Sequence, residues 1–131
     1  MKLEADTMPS GRHLIADLAA TRGLSDPDAI SAALRAAAKA ARVTLLKIQV
    51  HHFGAGMGVT GVALLAESHI SIHTWPETGQ VALDIFVCGP DAEPDAALGV
   101  MVEALAASIV QQQMIIRLRT PRMCNSPAAT D

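Results

Sequence analysis

Three short runs in the middle of the chain, at 62–67, 70–75 and 81–88, combine β-branched and long apolar residues with polar ones, and only a few residues separate each from the next. Runs of this length and alternation are strands rather than helices. Pro76, Glu77, Thr78 and Gly79 supply the turn between the last two. Side chains alternate across a sheet, so Ile70, Ile72 and Thr74 fall on one face of their strand, as do Val81, Leu83, Ile85 and Val87 on theirs, and these faces cover the helices. The opposite face carries His69, Ser71, His73 and Trp75 beside Ala82, Asp84, Phe86 and Cys88. Such a face is too apolar to leave bare and too polar for a simple core, which marks a subunit interface holding a site.

A turn centred on 76–79 sets Trp75 opposite Gln80, His73 opposite Ala82 and Glu67 opposite Cys88. Cys88 thereby arrives beside the Glu67–Ser68 bond. His73 does not, because five residues of extended chain at about 3.3 Å each put it roughly 16 Å from Ser68. Any service of His73 to Ser68 therefore comes across a two-fold axis, from a partner subunit.

The rest of the chain completes the pattern. Residues 1–10 are a loose lead-in, and alternation from Arg12 to Leu18 gives a strand. Ser25, Asp26, Pro27 and Asp28 combine a capping side chain, an early proline and acids in a first helical turn. Ile30, Ala33, Leu34, Ala37 and Ala41 then recur at helical spacing, which predicts an amphipathic helix over 26–42. Residues 43–53 read as a strand and 54–61 as a loop. A second helix opens at 91–94 with Leu98, Met101, Val102, Leu105 and Ile109 on one face, a strand follows over 111–118, and the remainder is an exposed tail. The order predicts an α+β fold: a two-layer sandwich, an antiparallel sheet with both helices on one face. With 131 residues and short connections, the chain forms a single domain, 1–131.

Composition narrows the function. A net charge of −3 with no Lys/Arg run leaves no footprint for nucleic acid or an anionic membrane surface. No apolar run is long enough to span a bilayer, the N-terminus is not a secretory signal, and two cysteines do not staple a fold, so the cytoplasm is expected. Gly56, Gly58 and Gly61 fit the G-x-G-x-x-G dinucleotide fingerprint literally. That motif needs a helix next, whereas here a strand-like segment follows, so the glycines mark a loop approached closely by backbone. His51, His52, His73 and Cys88 lack paired ligand spacing, and no metal is expected. His13 and His69 read as structural, Asp84 and Phe86 as interface packing.

The sequence ESHISIHTWPE, followed by DIFVCG, resembles the prokaryotic S-adenosylmethionine decarboxylase proenzyme family, whose members cleave themselves and depend on a pyruvoyl group. The resemblance runs from Gly11-Arg12-His13-Leu14 to about Ile109 and is densest over 58–89. It implies cleavage between Glu67 and Ser68 into a β chain, 1–67, and an α chain, 68–131. The Ser68 hydroxyl attacks its own peptide carbonyl, and Ser68 ends as the pyruvoyl ketone, which attaches the substrate amine as a Schiff base and takes up electrons on decarboxylation. His73 matches the processing histidine and Thr60 the helper hydroxyl, where the family pattern has Ser. Cys88 matches the proton donor, Phe53 an adenine-stacking ring, Glu77 a ribose ligand and Trp75 a pocket wall. The GAGMG loop is one residue longer than the family pattern. The expected function is decarboxylation of S-adenosylmethionine for polyamine (spermidine) synthesis, by a homo-oligomer that is at least a dimer with shared sites. The alternatives are an arginine or ornithine decarboxylase on the same scaffold and an unprocessed, non-enzymatic binding subunit.

Overall fold

A computed structural model describes residues 10–119. The lead-in before Ser10 and the tail from residue 120, Cys124 included, lie outside the described residues. Eight elements follow one another: β1 (Gly11–Ala19), α1 (Pro27–Ala40), β2 (Leu45–His52), β3 (Val59–Leu65), β4 (Ser68–Trp75), β5 (Gln80–Cys88), α2 (Pro94–Ala104) and β6 (Ser108–Arg117). The strands form one sheet in the order β2-β3-β4-β5-β1-β6, with every adjacent pair antiparallel. β1, early in the chain, is thus threaded between two late strands, β5 and β6. None of the described helices is long and apolar enough to cross a membrane.

The helices cover one face, as their patterning requires. In α1, Asp26 caps the N-terminus by accepting from the Asp28 and Ala29 amides at 3.0 and 3.2 Å. Ile30, Ala33, Leu34, Ala37 and Ala41 are all buried. Opposite them lie Ile70, Ile72, Val81, Leu83, Ile85 and Val87, each at most 3% exposed. Buried side chains of this size contribute roughly 1.5–3 kcal/mol each. Thr74 shares that face, and its hydroxyl is satisfied by the Val59 amide (2.9 Å) and the Leu24 carbonyl (2.6 Å).

Several boundaries differ from expectation. Residues 59–61 open β3 rather than ending a loop, because their pairing with β2 and β4 extends to Val59. Thr60 therefore stands on a strand. β2 is trimmed to Leu45–His52, with a register shift between Leu45 and Lys47. Ile109 is not on the face of α2: the helix stops at Ala104, and Ile109 lies in β6, 40% exposed. β6 also begins earlier than the apolar pattern indicates, since its pairing with β1 carries the sheet back to Ser108.

Two of the fingerprint-like glycines, Gly58 and Gly61, answer to packing. A Cβ on Gly58 would lie 2.1 Å from the Thr74 carbonyl oxygen, and one on Gly61 would lie 3.1 Å from Leu34 Cδ1. Gly58 lets the loop approach β4, and Gly61 lets α1 settle on β3. Gly58→Ala is therefore expected to lower stability by about 1–3 kcal/mol, whereas Gly99→Ala, on an exposed turn of α2 facing open space, should raise it by roughly 0.5–1 kcal/mol. Urea unfolding of the two variants checks the opposite signs.

Candidate active site

The expected site residues collect at the two ends of β4. At one end, Thr60 and His73 are direct partners across the β3–β4 seam, with Thr60 Oγ1 3.1 Å from His73 Nδ1. The Trp75 ring follows two residues on, 6.3 Å from that of His73. Phe53, just past β2, stands edge-on to His51 at 4.6 Å and is 58% exposed. Phe53, Thr60, His73, Trp75 and Glu77 share a pocket of about 310 Å³. That volume is at the low end for small-molecule sites. A larger hollow of about 520 Å³, flanked by Asp17, Gln80 and Val110, holds only Trp75 of the expected residues.

At the other end, Ser68 pairs with Leu65 across the two-residue turn Ala66–Glu67. Thr44 pins this turn from outside the hairpin: its carbonyl accepts from the Ala66 amide (2.9 Å), while its amide and hydroxyl donate to the Glu67 carboxylate at 3.0 and 3.4 Å. Ser68 itself has φ +154°. A side chain rarely adopts that conformation, and holding it costs on the order of 1–3 kcal/mol. The strain therefore lies at the residue where cleavage is expected.

The β4–β5 register is the expected one, with Trp75 opposite Gln80 and His73 opposite Ala82. Its last pair is His69 with Phe86, and two further steps bring Cys88 level with Glu67. Cys88 is a half-buried free thiol. Ser68 has the strand parity of Ile70, whereas Cys88 has that of Phe86, so the two side chains start from opposite faces. Behind Cys88, the Arg12 guanidinium donates to the carbonyls of Gly89 (3.4 Å) and Ala92, holding the next loop.

Between the two ends, on the face without helices, lies a polar cluster centred on Asp84. Its Oδ2 accepts from His13 Nε2 at 2.6 Å and His69 Nε2 at 3.0 Å, and its Oδ1 accepts from the Ser71 hydroxyl. Arg117 Nη1 meets His13 Nδ1 at 3.0 Å, and its guanidinium lies 5.1 Å from the centre of the Phe86 ring. Asp84 and the two histidines are thus a hydrogen-bonded group rather than separate packing residues. The hairpin register already sets Ser71 opposite Asp84. His13 and Arg117 join only through the long-range pairing of β1, which no local pattern announces. Thr44 and Arg12, too, carry no sequence signal.

The family described as S-adenosylmethionine decarboxylase matches residues 12–118. A protein of Thermomicrobium roseum named S-adenosylmethionine decarboxylase proenzyme is 38% identical over 107 residues, covering 82% of this chain and 92% of the relative. One of the same name from Prochlorococcus marinus is 46% identical over 97 residues, covering 72% and 79%. The crystal structure of the adenosylmethionine decarboxylase of Aquifex aeolicus superposes with a TM-score of 0.71 at 32% identity, covering 85% of this chain and 91% of that one.

Burial of Asp84 opposes its charge, but hydrogen bonds from Ser71, His13 and His69, with the electrostatic attraction of His69, outweigh it. The carboxyl is held below its ordinary value of 3.8. A carboxyl depressed on folding stabilises the fold above its unfolded value, and that contribution is lost as pH falls through the folded value. Asp84→Asn keeps the shape and removes the charge. Thermal unfolding of the two proteins across an acid titration should show a gap that is full above 3.8 and closes below it; a gap that widens on acidification overturns this account.

Proposed function

The chain belongs to the S-adenosylmethionine decarboxylase family, and from that premise we propose how its residues carry out the activity. The enzyme removes carbon dioxide from S-adenosylmethionine, and the product is the aminopropyl donor for spermidine synthesis. The proenzyme name of its relatives fits a chain that processes itself.

In this reading Ser68 Oγ attacks the Glu67 carbonyl carbon. The peptide C–N bond breaks as the ester bond forms, and the amine of residue 68 is freed. Loss of the Ser68 α-proton then expels the Glu67 carboxylate, leaving dehydroalanine at 68, which water converts to a pyruvoyl group with release of ammonia. The observation that carries this reading is the strained φ of Ser68, next to a turn held by Thr44. Relief of that strain favours attack, and the Thr44 contacts to the Ala66 amide and the Glu67 carboxylate hold the turn that presents the bond. Ser68, half-buried at the start of a strand, fits a group that must be both shielded and reachable.

Once formed, the ketone supplies an electron sink to which the substrate amine attaches. Cys88, two residues beyond the His69–Phe86 pair, delivers the proton to the substrate Cα. Phe53 stacks on the adenine, Glu77 accepts from the ribose hydroxyls, and Trp75 borders the same pocket, where an aromatic face attracts the sulfonium. His73 is the processing residue, with Thr60 at its Nδ1.

Five residues of β4 separate His73 from Ser68, roughly 16 Å of extended strand. In our reading two chains therefore pack their uncovered sheet faces together, and His73 and the nucleoside pocket of one serve Ser68 and Cys88 of the other. We assign this dimer to the cytoplasm.

The wild type is expected to run as two fragments, 1–67 and 68–131, and to release labelled carbon dioxide from carboxyl-labelled S-adenosylmethionine but not from arginine or ornithine. Ser68→Ala is expected to stay a single 13.7 kDa chain without activity; two fragments from that variant on intact mass spectrometry refute the assigned bond. Co-expression of His73→Ala with Ser68→Ala chains should yield cleaved His73→Ala chains, because the partner supplies the histidine. Mixed dimers in which the His73→Ala chain stays whole refute sharing.

A further inference from the structure

Cleavage between Glu67 and Ser68, the reading on which this inference rests, creates a chain end inside the sheet. Before the cut, residue 68 is fixed from both sides, by β4 and by the turn that Thr44 holds. Afterwards the Thr44 contacts stay with Glu67 on the other fragment. Residue 68 then has a ladder partner on β3 alone, since the β5 pairing ends at His69. A strand terminus paired on one side frays.

The first two side chains of the new fragment on the open face are His69 and Ser71, and both bond to Asp84. Asp84 stands on β5 and is held in turn by His13 of β1. We propose that Asp84 is a positioning residue that fastens the chain end made by cleavage, so that the group at position 68 stays within reach of Cys88. Before the cut this fastening is redundant; after it, Asp84 supplies the side-chain hydrogen bonds from β5 to the terminus among the described residues, beside the edge contact of the Phe86 ring with His69.

A divalent cation is the competing use of these donors, since His13, His69 and Asp84 offer ligand atoms within 4.8 Å of one another. The Arg117 contact argues against it. A guanidinium only donates, so His13 Nδ1 accepts, and the ring proton sits on Nε2, pointing at Asp84. That nitrogen has no lone pair to give a metal.

The test compares Asp84→Asn in a chain able to cleave itself and in the Ser68→Ala chain, reading amide hydrogen exchange of the segment 68–75 by mass spectrometry. In the cut protein, exchange should accelerate by about tenfold, the loss of a hydrogen bond to a charged group. In Ser68→Ala it should change by about twofold or less. Equal acceleration in both backgrounds, or none in the cut protein, overturns the proposal. Ser71→Ala removes one of the two bonds and keeps the charge, with about threefold expected in the cut protein. It decides alone where Asp84→Asn blocks folding or cleavage. Intact mass separates the two readings: a folded wild type that stays whole sinks cleavage and the fastening together, whereas a cut protein with no differential sinks only the fastening.

Discussion

The register of β4 between β3 and β5 is the constraint on which the rest of the molecule depends. It sends Ile70 and Ile72 into the core and leaves His69, Ser71, His73 and Trp75 on the open face. A slip of one residue would exchange the two sets, burying the histidines and exposing the isoleucines. The free-energy penalty for that exchange is what fixes the chemistry in place. Thr60 meets His73, and Ser71 meets Asp84, because the core on the other side of the sheet permits no other alignment.

Residues with reactive side chains are accordingly distributed along a line rather than gathered at a point. The pocket of Phe53, Thr60, His73, Trp75 and Glu77 lies at one end of β4, and the Glu67–Ser68 bond at the other. The Asp84 cluster occupies the middle. An uncovered face that is polar at its centre and apolar at Val62, Leu64 and Ile15 has the character of a surface completed by a second one.

Much of this was legible in the chain because it is local. The 76–79 turn and period-two alternation were enough to give the β4–β5 pairing, and helical spacing gave the buried face of α1. What stayed hidden depends on contacts distant in sequence. Val59–Gly61 look like loop because three glycines crowd residues 56–61, yet the Thr74 backbone and Leu34 make two of them, Gly58 and Gly61, necessary there. Asp84 looked like packing because His13 reaches it, and Arg117 reaches His13, only after β1 enters between β5 and β6. The strain at Ser68 has no compositional trace, since a serine is unremarked in any strand.

The threading of β1 has a consequence for a molecule severed between β3 and β4. The first fragment would own β1, β2 and β3, and the second β4, β5 and β6, so three strand seams would join them: β3–β4, β5–β1 and β1–β6. Neither piece could leave without unzipping a strand from between two others. Such a protein would hold together as if unbroken, yet its refolding would become a bimolecular encounter governed by concentration. Its assembly would thus be written once, while the polypeptide is continuous, and be hard to repeat after the link is gone.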